Sequence, residues 1–385
     1  MTKFSFKGRA LMFLSVLFVG ALIFTSFGGA MPVQAAAPVA PVGDGKSVSV
    51  GFTIYKDGSG YTCAKNSATN AIDYRSTNSK WVIQKAIDKM SGGYLLIKAG
   101  SYAITSTIHT NKVSIIGEGN RTVLEATSTC SGSVIRVCDD YWTLDYRYMS
   151  ARPNGITVAN LQIDGNRASG GQHLQGVGFI DALNSRIVKV YVHDIIGGQG
   201  LYMTNSQHCS ISHCVIDNIG DNTAAHYGSG IAFGTASRSH VASSYISIDN
   251  VRITRASMSS IDLEPANHVT ITNCVFRDAT TWKGYRTPVI TEYNHNGYAL
   301  CDYITVSGCT VYGAFNEFVI LSPSCHSVVK NNHVTLTTGT CTAIYSINSH
   351  SNTITGNVIK SYCHSPIKLV SCSSSIVSGN TILHW

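Results

Sequence analysis

Charge is scarce in this chain: Asp, Glu, Lys and Arg make up 13% of its 385 residues, where a soluble globular protein usually carries about a quarter. That scarcity excludes a coiled coil and a charge-rich disordered chain, both of which need many Lys and Glu. Proline is rare, at eight residues, and no Gly-X-Y period occurs, so collagen is excluded. No CxxC pair exists, and the Cys and His spacings fit neither a zinc ribbon nor a finger. Beyond Phe27 no run of about 18 consecutive apolar residues is found, so nothing later spans a bilayer as a helix. Acids are missing altogether before Asp44, whereas Lys3, Lys7 and Arg9 precede it. Setting those three aside leaves 25 of the 28 bases against 21 acids, a net +4. An excess so small and scattered excludes a nucleic-acid surface.

What is present begins with export. The three N-terminal bases, an apolar run from Ala10 to Phe27 and the small residues Ala35-Ala36-Ala37 make a secretory signal peptide over 1–37. The alternative is an uncleaved membrane anchor; the well-formed small-residue site favours cleavage. A secreted or cell-surface location follows, with 38–77 as an N-terminal leader segment and 78–385 as one domain. Length alone allows two or three domains, but β-rich domains often run long. All twelve cysteines lie beyond the leader. In an oxidising compartment several disulfides are expected, with a connectivity that sequence does not give.

The domain repeats itself. An aliphatic residue, two small or polar residues, a fixed position, one further residue and an aliphatic residue recur as Ile211 to Ile216, Ile271 to Phe276 and Val306 to Val311. They continue as Val329 to Val334, Ile354 to Ile359 and Val377 to Ile382. The fixed positions are 161, 190, 214, 251, 274, 309, 332, 357 and 380, with steps of 29, 24, 37, 23, 35, 23, 25 and 23. A base period of 23 to 25 with two wide steps is that of a solenoid carrying loops. Val, Ile and Thr alternate with Ser and Asn, which is strand chemistry. Each coil carries a second strand, such as Gly200-Leu201-Tyr202-Met203, Gly230-Ile231-Ala232-Phe233 or Ser260-Ile261-Asp262-Leu263. The fold class expected is therefore all-β, a parallel β-helix. Asn332, Asn357 and Asn380 either stack into an amide ladder at about 4.8 Å per coil or only favour a turn. At the front, Lys80 to Met90 predicts an amphipathic helix stopped by Gly92-Gly93, covering the open end of the solenoid.

That helix, followed by Gly92-Gly93-Tyr94-Leu95-Leu96-Ile97-Lys98-Ala99-Gly100-Ser101-Tyr102 and Ile115-Ile116-Gly117-Glu118-Gly119, resembles the entry region of pectate-lyase-like proteins. The resemblance covers about residues 78 to 385 and implies their right-handed parallel β-helix with an N-terminal capping helix. It implies little about activity, since the scaffold hosts lyases, hydrolases, epimerases and non-enzymes. Leu161-Gln162-Ile163-Asp164-Gly165-Asn166-Arg167 looks like part of the mannuronan epimerases. Their Asp-Pro-His-Glu run one coil later is replaced by Gly200-Leu201-Tyr202-Met203-Thr204, so no epimerase residue carries over. The paired aspartates of polygalacturonases are also missing, Asp139-Asp140 lying in an early loop.

One coil carries chemistry. With Ile261 and Leu263 inward, Asp262 and Glu264 share the outer face, about 6.6 Å apart along the strand. Such a pair suits the acid and base of an inverting hydrolase, or two ligands of a Ca²⁺ ion. Solvation, or pairing with Arg252 or Arg255, is the plainer reading. The wide steps fall on either side, so the insertions 221–227 and 281–302 are expected to wall a cleft. They bring His226, Lys283 and Arg286 as candidate bases, and Tyr227, Trp282, Tyr285, Glu292, Tyr293 and His295 as substrate-binding residues. His226 is the ordinary base, whereas Arg stays protonated in most settings. His193, His208, His213 and His268 are read as polar caps at coil corners. Two functions are expected from these features. The first is a secreted enzyme acting on a polysaccharide, expected to be acidic, by β-elimination or glycosidic hydrolysis. The second is a non-catalytic envelope or adhesion rod that self-associates through its C-terminal coil edge.

Overall fold

The computed structural model describes residues 49–138, 152–167, 174–220, 228–234, 242–278, 287–291, 301–338 and 342–385. Residues 1–37, expected as a signal peptide, lie outside them. Among the described residues no helix is long and apolar enough to cross a membrane.

The recurring pattern builds three rows of strands. The first row is a ten-stranded parallel sheet that includes Gln175–Ile180, Gly198–Thr204, Gly228–Gly234, Ser259–Leu263, Thr287–Thr291 and Val319–Leu321. The second row holds strands such as Ser210–Ser212 and Thr305–Ser307, and the third Val215–Ile219 and Thr310–Gly313. In two early coils the second and third rows merge into single bent strands, Thr157–Asp164 and Arg186–Ile195. Each strand pairs in parallel with its counterpart one coil on. The chain is thus a parallel β-helix, and the register places every fixed position of the repeat at one corner.

That corner explains the residue types found there. The residue just before the fixed position adopts a left-handed conformation in coil after coil: His213, Asn250, Asn273 and Asn331 have φ of 55°, 52°, 54° and 54°. Asn tolerates this region better than most side chains, and glycine takes it at Gly308, Gly356 and Gly379. The following side chain then points inward. Asn357 shows what an amide does in that place. Its Oδ1 accepts from the Asn332 backbone N–H at 3.1 Å and from Asn332 Nδ2 at 2.9 Å. Its own Nδ2 donates to Val329 O and to Asn380 Oδ1, both at 2.9 Å. The amides therefore form a ladder, and the turn-only reading is set aside.

Facing rows fill the interior with Ile135, Val177, Leu201, Ile231, Ile261, Val289, Val319 and Ile344, all fully buried. Each such aliphatic side chain contributes about 1.5–3 kcal/mol relative to exposure. One strand was not foreseen. Residues 281–302, expected as a single loop, contain Thr287–Thr291. Pro288 hides it from a propensity reading, but Pro288 occupies the position of Ser260 that the pairing skips, between Ser259↔Thr287 and Ile261↔Val289. Proline is tolerated where no ladder bond is needed.

The front end closes as expected, with differences of detail. The helix runs Ser79–Lys89, and Asn78 Oδ1 accepts from the Trp81 backbone N–H at 3.0 Å. Val82, Ile83, Ala86 and Ile87 are buried, whereas Trp81 remains 42% exposed and packs edge-on against Tyr74. Gly93 is needed because its φ is +83° and a Cβ would sit 2.7 Å from Ser49 O. Residues 50–76, within the segment expected only as a leader, form the strands Val50–Lys56, Thr62–Asn66 and Ile72–Ser76. They make an antiparallel meander whose first strand also pairs with Tyr94–Ile97.

The cysteines depart from the expected disulfide network. Cys63, Cys130, Cys138, Cys209, Cys214, Cys274, Cys301, Cys309, Cys325 and Cys372 are free thiols. Among the described residues only Cys363 is disulfide-bonded. The rest serve as small apolar fillers: Cys214, Cys274 and Cys309 sit at the inner corner and donate weakly to Ser212 O, Thr272 O and Ser307 O. Burial pushes the Cys209 and Cys214 thiols up to about 11 and about 12, which makes them poor nucleophiles. A thiol titration should therefore find at least ten reactive groups after denaturation without reductant. In the native protein only Cys138 and Cys372, which are partly exposed, should react readily. A denatured count near zero would restore the disulfide network.

Candidate functional site

The outer side of the ten-stranded sheet carries the chemistry. Its register aligns Arg136, Gly178, Tyr202, Ala232, Asp262, Ile290, Ile320, Tyr345 and Lys368 in one outward row. Asp262 is the sole carboxylate in it, so the outward placement expected for this residue holds. Its exposure does not: Asp262 is 7% exposed, and its neighbours Ala232 and Ile290 are 6% and 5%. This stretch of the outer face is screened from solvent, whereas Glu264, one residue past the strand, is half-buried. Pairing of the acids with Arg255 is also excluded, because Arg255 is bound to Asp217.

Beside the outward row runs a polar line, which sequence reading missed. Ser133 Oγ donates to Gln175 Oε1 at 2.7 Å, and Gln175 Nε2 to Gln199 Oε1 at 3.0 Å. Arg136 donates to Ser133 Oγ at 3.3 Å. Farther along, the Ser229 and Ser259 hydroxyls are 2.9 Å apart, and Thr287 Oγ1 donates to Glu317 Oε2 at 2.8 Å. The two rows touch: a Cβ on Gly178 would lie 2.9 Å from Ser133 Oγ and 3.5 Å from Gln175 Oε1. The line ends at Glu317, whose carboxyl is raised above its ordinary range by burial, with the Thr287 hydrogen bond opposing the rise. One sequence signal marks it, since Glu317 is the last acidic side chain in the chain. Cys301 lies on the inner side of this coil and donates to Leu263 O at 2.9 Å. Burial, and then the charges of Asp262, Asp302 and Glu264, raise its thiol to about 12.

His226, Tyr227, Trp282, Lys283, Tyr285, Arg286, Glu292, Tyr293 and His295 lie outside the described residues. For the expected Ca²⁺, the outer neighbours Ala232 and Ile290 add no oxygen side chain to Asp262 and Glu264.

Among the described residues the one group of three metal-capable side chains lies elsewhere, at Asp164, His193 and Asp194. Both nitrogens of His193 are already engaged. Nδ1 is 2.7 Å from Asp194 Oδ2, and Nε2 is 2.7 Å from Gln162 Nε2. A metal would have to displace one of these partners. Burial alone would raise the Asp194 carboxyl, but hydrogen bonds from His193 and Asn218, with the Arg167 charge, hold it below its usual range. A depressed carboxyl contributes stability above its unfolded value of 3.8 and loses it as pH falls through the folded value. The difference in Tm between the wild type and Asp194→Asn should therefore be widest above about pH 4 and close on further acidification.

The neighbouring epimerase-like segment has a structural role as well. Arg167 Nη2 donates to Asn218 O and Gly220 O at 2.7 Å and to Ile195 O at 3.3 Å, so one guanidinium ties consecutive coils. Gly165 is required there because a Cβ would be 2.5 Å from Asp194 O. The corner histidines behave as expected: His208 and His268 take left-handed φ of 53° and 51° and stack with Tyr245 and Tyr303 at 4.6–4.8 Å between ring centroids. Their faces cover one another, so they present no stacking platform for a sugar.

This geometry can be set beside known proteins. The family described as "Right handed beta helix region" matches residues 199–382, and "Rhamnogalacturonase A/epimerase, pectate lyase-like" matches residues 70–240. The chain belongs to the pectate-lyase-like right-handed parallel β-helix superfamily. No curated protein sequence matches it. Among solved structures, ORF18 of Geobacillus virus E2 is similar at 14% identity and a TM-score of 0.56, over 79% of this chain and 58% of that one. The mannuronan C-5 epimerase AlgE6 A-module of Azotobacter vinelandii is 13% identical, with a TM-score of 0.51, over 79% of this chain and 91% of that one. A tailspike protein mutant of E. coli bacteriophage HK620, in complex with a hexasaccharide, is 13% identical with a TM-score of 0.52, over 79% and 61%. The chain thus spans little more than half of the viral protein, and these likenesses establish the fold.

Proposed function

We propose that this protein is an exported polysaccharide-acting enzyme whose substrate is engaged on the outer side of the ten-stranded sheet, along the polar line that is partly exposed at Gln175 and Gln199 and runs beside Asp262. The observation that carries the reading is Asp262, a screened carboxylate in an outward row, flanked by a hydrogen-bonded line of Ser, Gln and Thr side chains. Screening strengthens the electrostatics of such a group, and lines of hydroxyls and amides suit sugar hydroxyls. Lys368 at one end of the row, and Arg136 beside His109 at the other, favour an anionic glycan. Support comes from two proteins of like fold, one named as a mannuronan epimerase and the other bound to a hexasaccharide. Export rests on the basic, apolar and small-residue order of residues 1–37. The test is incubation with a panel of uronic-acid and neutral glycans, with and without Ca²⁺. Reducing ends and ultraviolet-absorbing unsaturated ends should be followed separately. Appearance of shorter chains supports the reading, and an inert panel overturns it.

A further inference from the structure

We infer that the outer face of the third strand row is, in its last coils, a second surface that binds an anionic polysaccharide. The inference takes its ligand class from the proposed function and uses none of its chemistry. One outward row of this sheet changes charge along its length. Its early coils carry Glu125, Asp164 and, past His193, Asp217. Asp217 aligns through Thr254 with Arg277, and the row continues with Tyr312, Thr335 and Lys360. Their neighbours Phe276, Val311, Val334 and Ile359 are buried in the core, which turns these four side chains outward. Among the described residues Arg277 makes no ion pair, and no ring covers Tyr312, which is 51% exposed.

The spacing suits a long chain laid along the solenoid axis. Arg277 and Lys360 are three coils apart, about 14 Å, with Tyr312 and Thr335 between them. Such a polymer meets a cation, a ring, a hydroxyl and a second cation in turn. Past Lys360, Tyr362 and Trp385 stack at 5.6 Å between centroids, and both are exposed. Lys360 Nζ lies 3.5 Å from the centre of the Trp385 ring, which holds the ammonium against the sheet with its charge intact. Exposed rings pack on the apolar faces of sugars, and carboxylate or sulfate groups pair with the cations. Charge favours this end alone. Residues 318–385 hold three lysines, five histidines and no acid. The acid closest to the patch in sequence is Asp278, next to Arg277. The carboxylates of the early coils repel the same polymer, which confines it to the last ones.

The experiment is affinity electrophoresis of the intact protein through gels containing alginate, polygalacturonate or neutral dextran. Wild type should be retarded by a polyuronate, less so as salt is added, and not by dextran. Tyr312→Ser, and the double variant Arg277→Gln with Lys360→Gln, should each weaken that retention by about 5–10-fold. Asp262→Asn should be retained as well as wild type, because its face is a different one. All three altered positions face solvent, so each variant should keep the wild-type Tm; if the double variant does not fold, Tyr312→Ser carries the test. On long chains of a glycan that the panel shows to be cut, the variants should raise KM and leave kcat unchanged. Their rates on a short oligosaccharide of the same sugar should match wild type, since only a long chain engages both faces. Absence of retention by either polyuronate, equal retention by dextran, or full retention of every variant overturns the inference, whatever the activity panel gives. A wild type that cuts nothing but is retained through Arg277, Tyr312 and Lys360 overturns the proposed function and leaves this surface standing.

Discussion

Asn357→Ala should cost about 3–5 kcal/mol, among the largest losses available to a single substitution in this fold. The amide is fully buried and serves several partners at once. Its removal strips the Asn332 N–H and Nδ2 of their acceptor, and Val329 O and Asn380 Oδ1 of a donor. Each buried group left unmade costs on the order of 1–3 kcal/mol, though neighbouring losses do not add in full. Water cannot repair the gap, because Asn332 is buried on the next coil. Asn380→Ala should cost less, since the end of the ladder is partly exposed and solvent can replace the lost partner. Cys309→Ala should cost least of the three, because a thiol makes only weak hydrogen bonds in the same corner. Urea unfolding gives the order directly. Equal losses at 309, 357 and 380 would show that the side chains merely fill space.

The second large effect concerns Asp262. Asp262→Asn keeps the shape of the side chain and removes its charge. Under the proposed function, removing this carboxylate should lower the rate by about 10²–10⁴-fold. A carboxylate held at 7% exposure also carries a desolvation cost. Activity should therefore collapse in Asp262→Asn by far more than any change in Tm accounts for, the pattern of a site that trades stability for function. A structural carboxylate would behave in the opposite way, with Tm falling. Glu264→Gln, at a half-buried position past the strand, should change both quantities less.

Much of the fold was legible in the chain, for a physical reason. A solenoid repeats one local problem, namely a strand, a left-handed corner residue and an inward side chain. The spacing of 214, 274, 309, 332, 357 and 380 therefore reported a single corner. Local signals also found the helix and its glycine stop. Where the chain broke its own pattern, reading faltered. Pro288 disguised the strand Thr287–Thr291, and the meander over 50–76 precedes the repeat and shares none of its period. The cysteines were judged by compartment, whereas the inner corner uses them for their size.

The site was legible in half. Alternation along Ser259–Leu263 correctly turned Asp262 outward, because strand parity is a property of neighbours in sequence. Its screening and the polar line depend on register between coils, which joins Thr287 to Glu317 across 30 residues. No local pattern marks such a pair. The same holds for Arg167, whose motif looked catalytic by resemblance but whose hydrogen bonds reach carbonyls 28 to 53 residues away.

The most direct measurement is a crystal structure of Asp262→Asn soaked with the oligosaccharide that the panel selects. The account predicts sugar density on the outer face of the ten-stranded sheet, within hydrogen-bond reach of position 262. Sugar seated on either of the other two strand rows, with that face left bare, would contradict it.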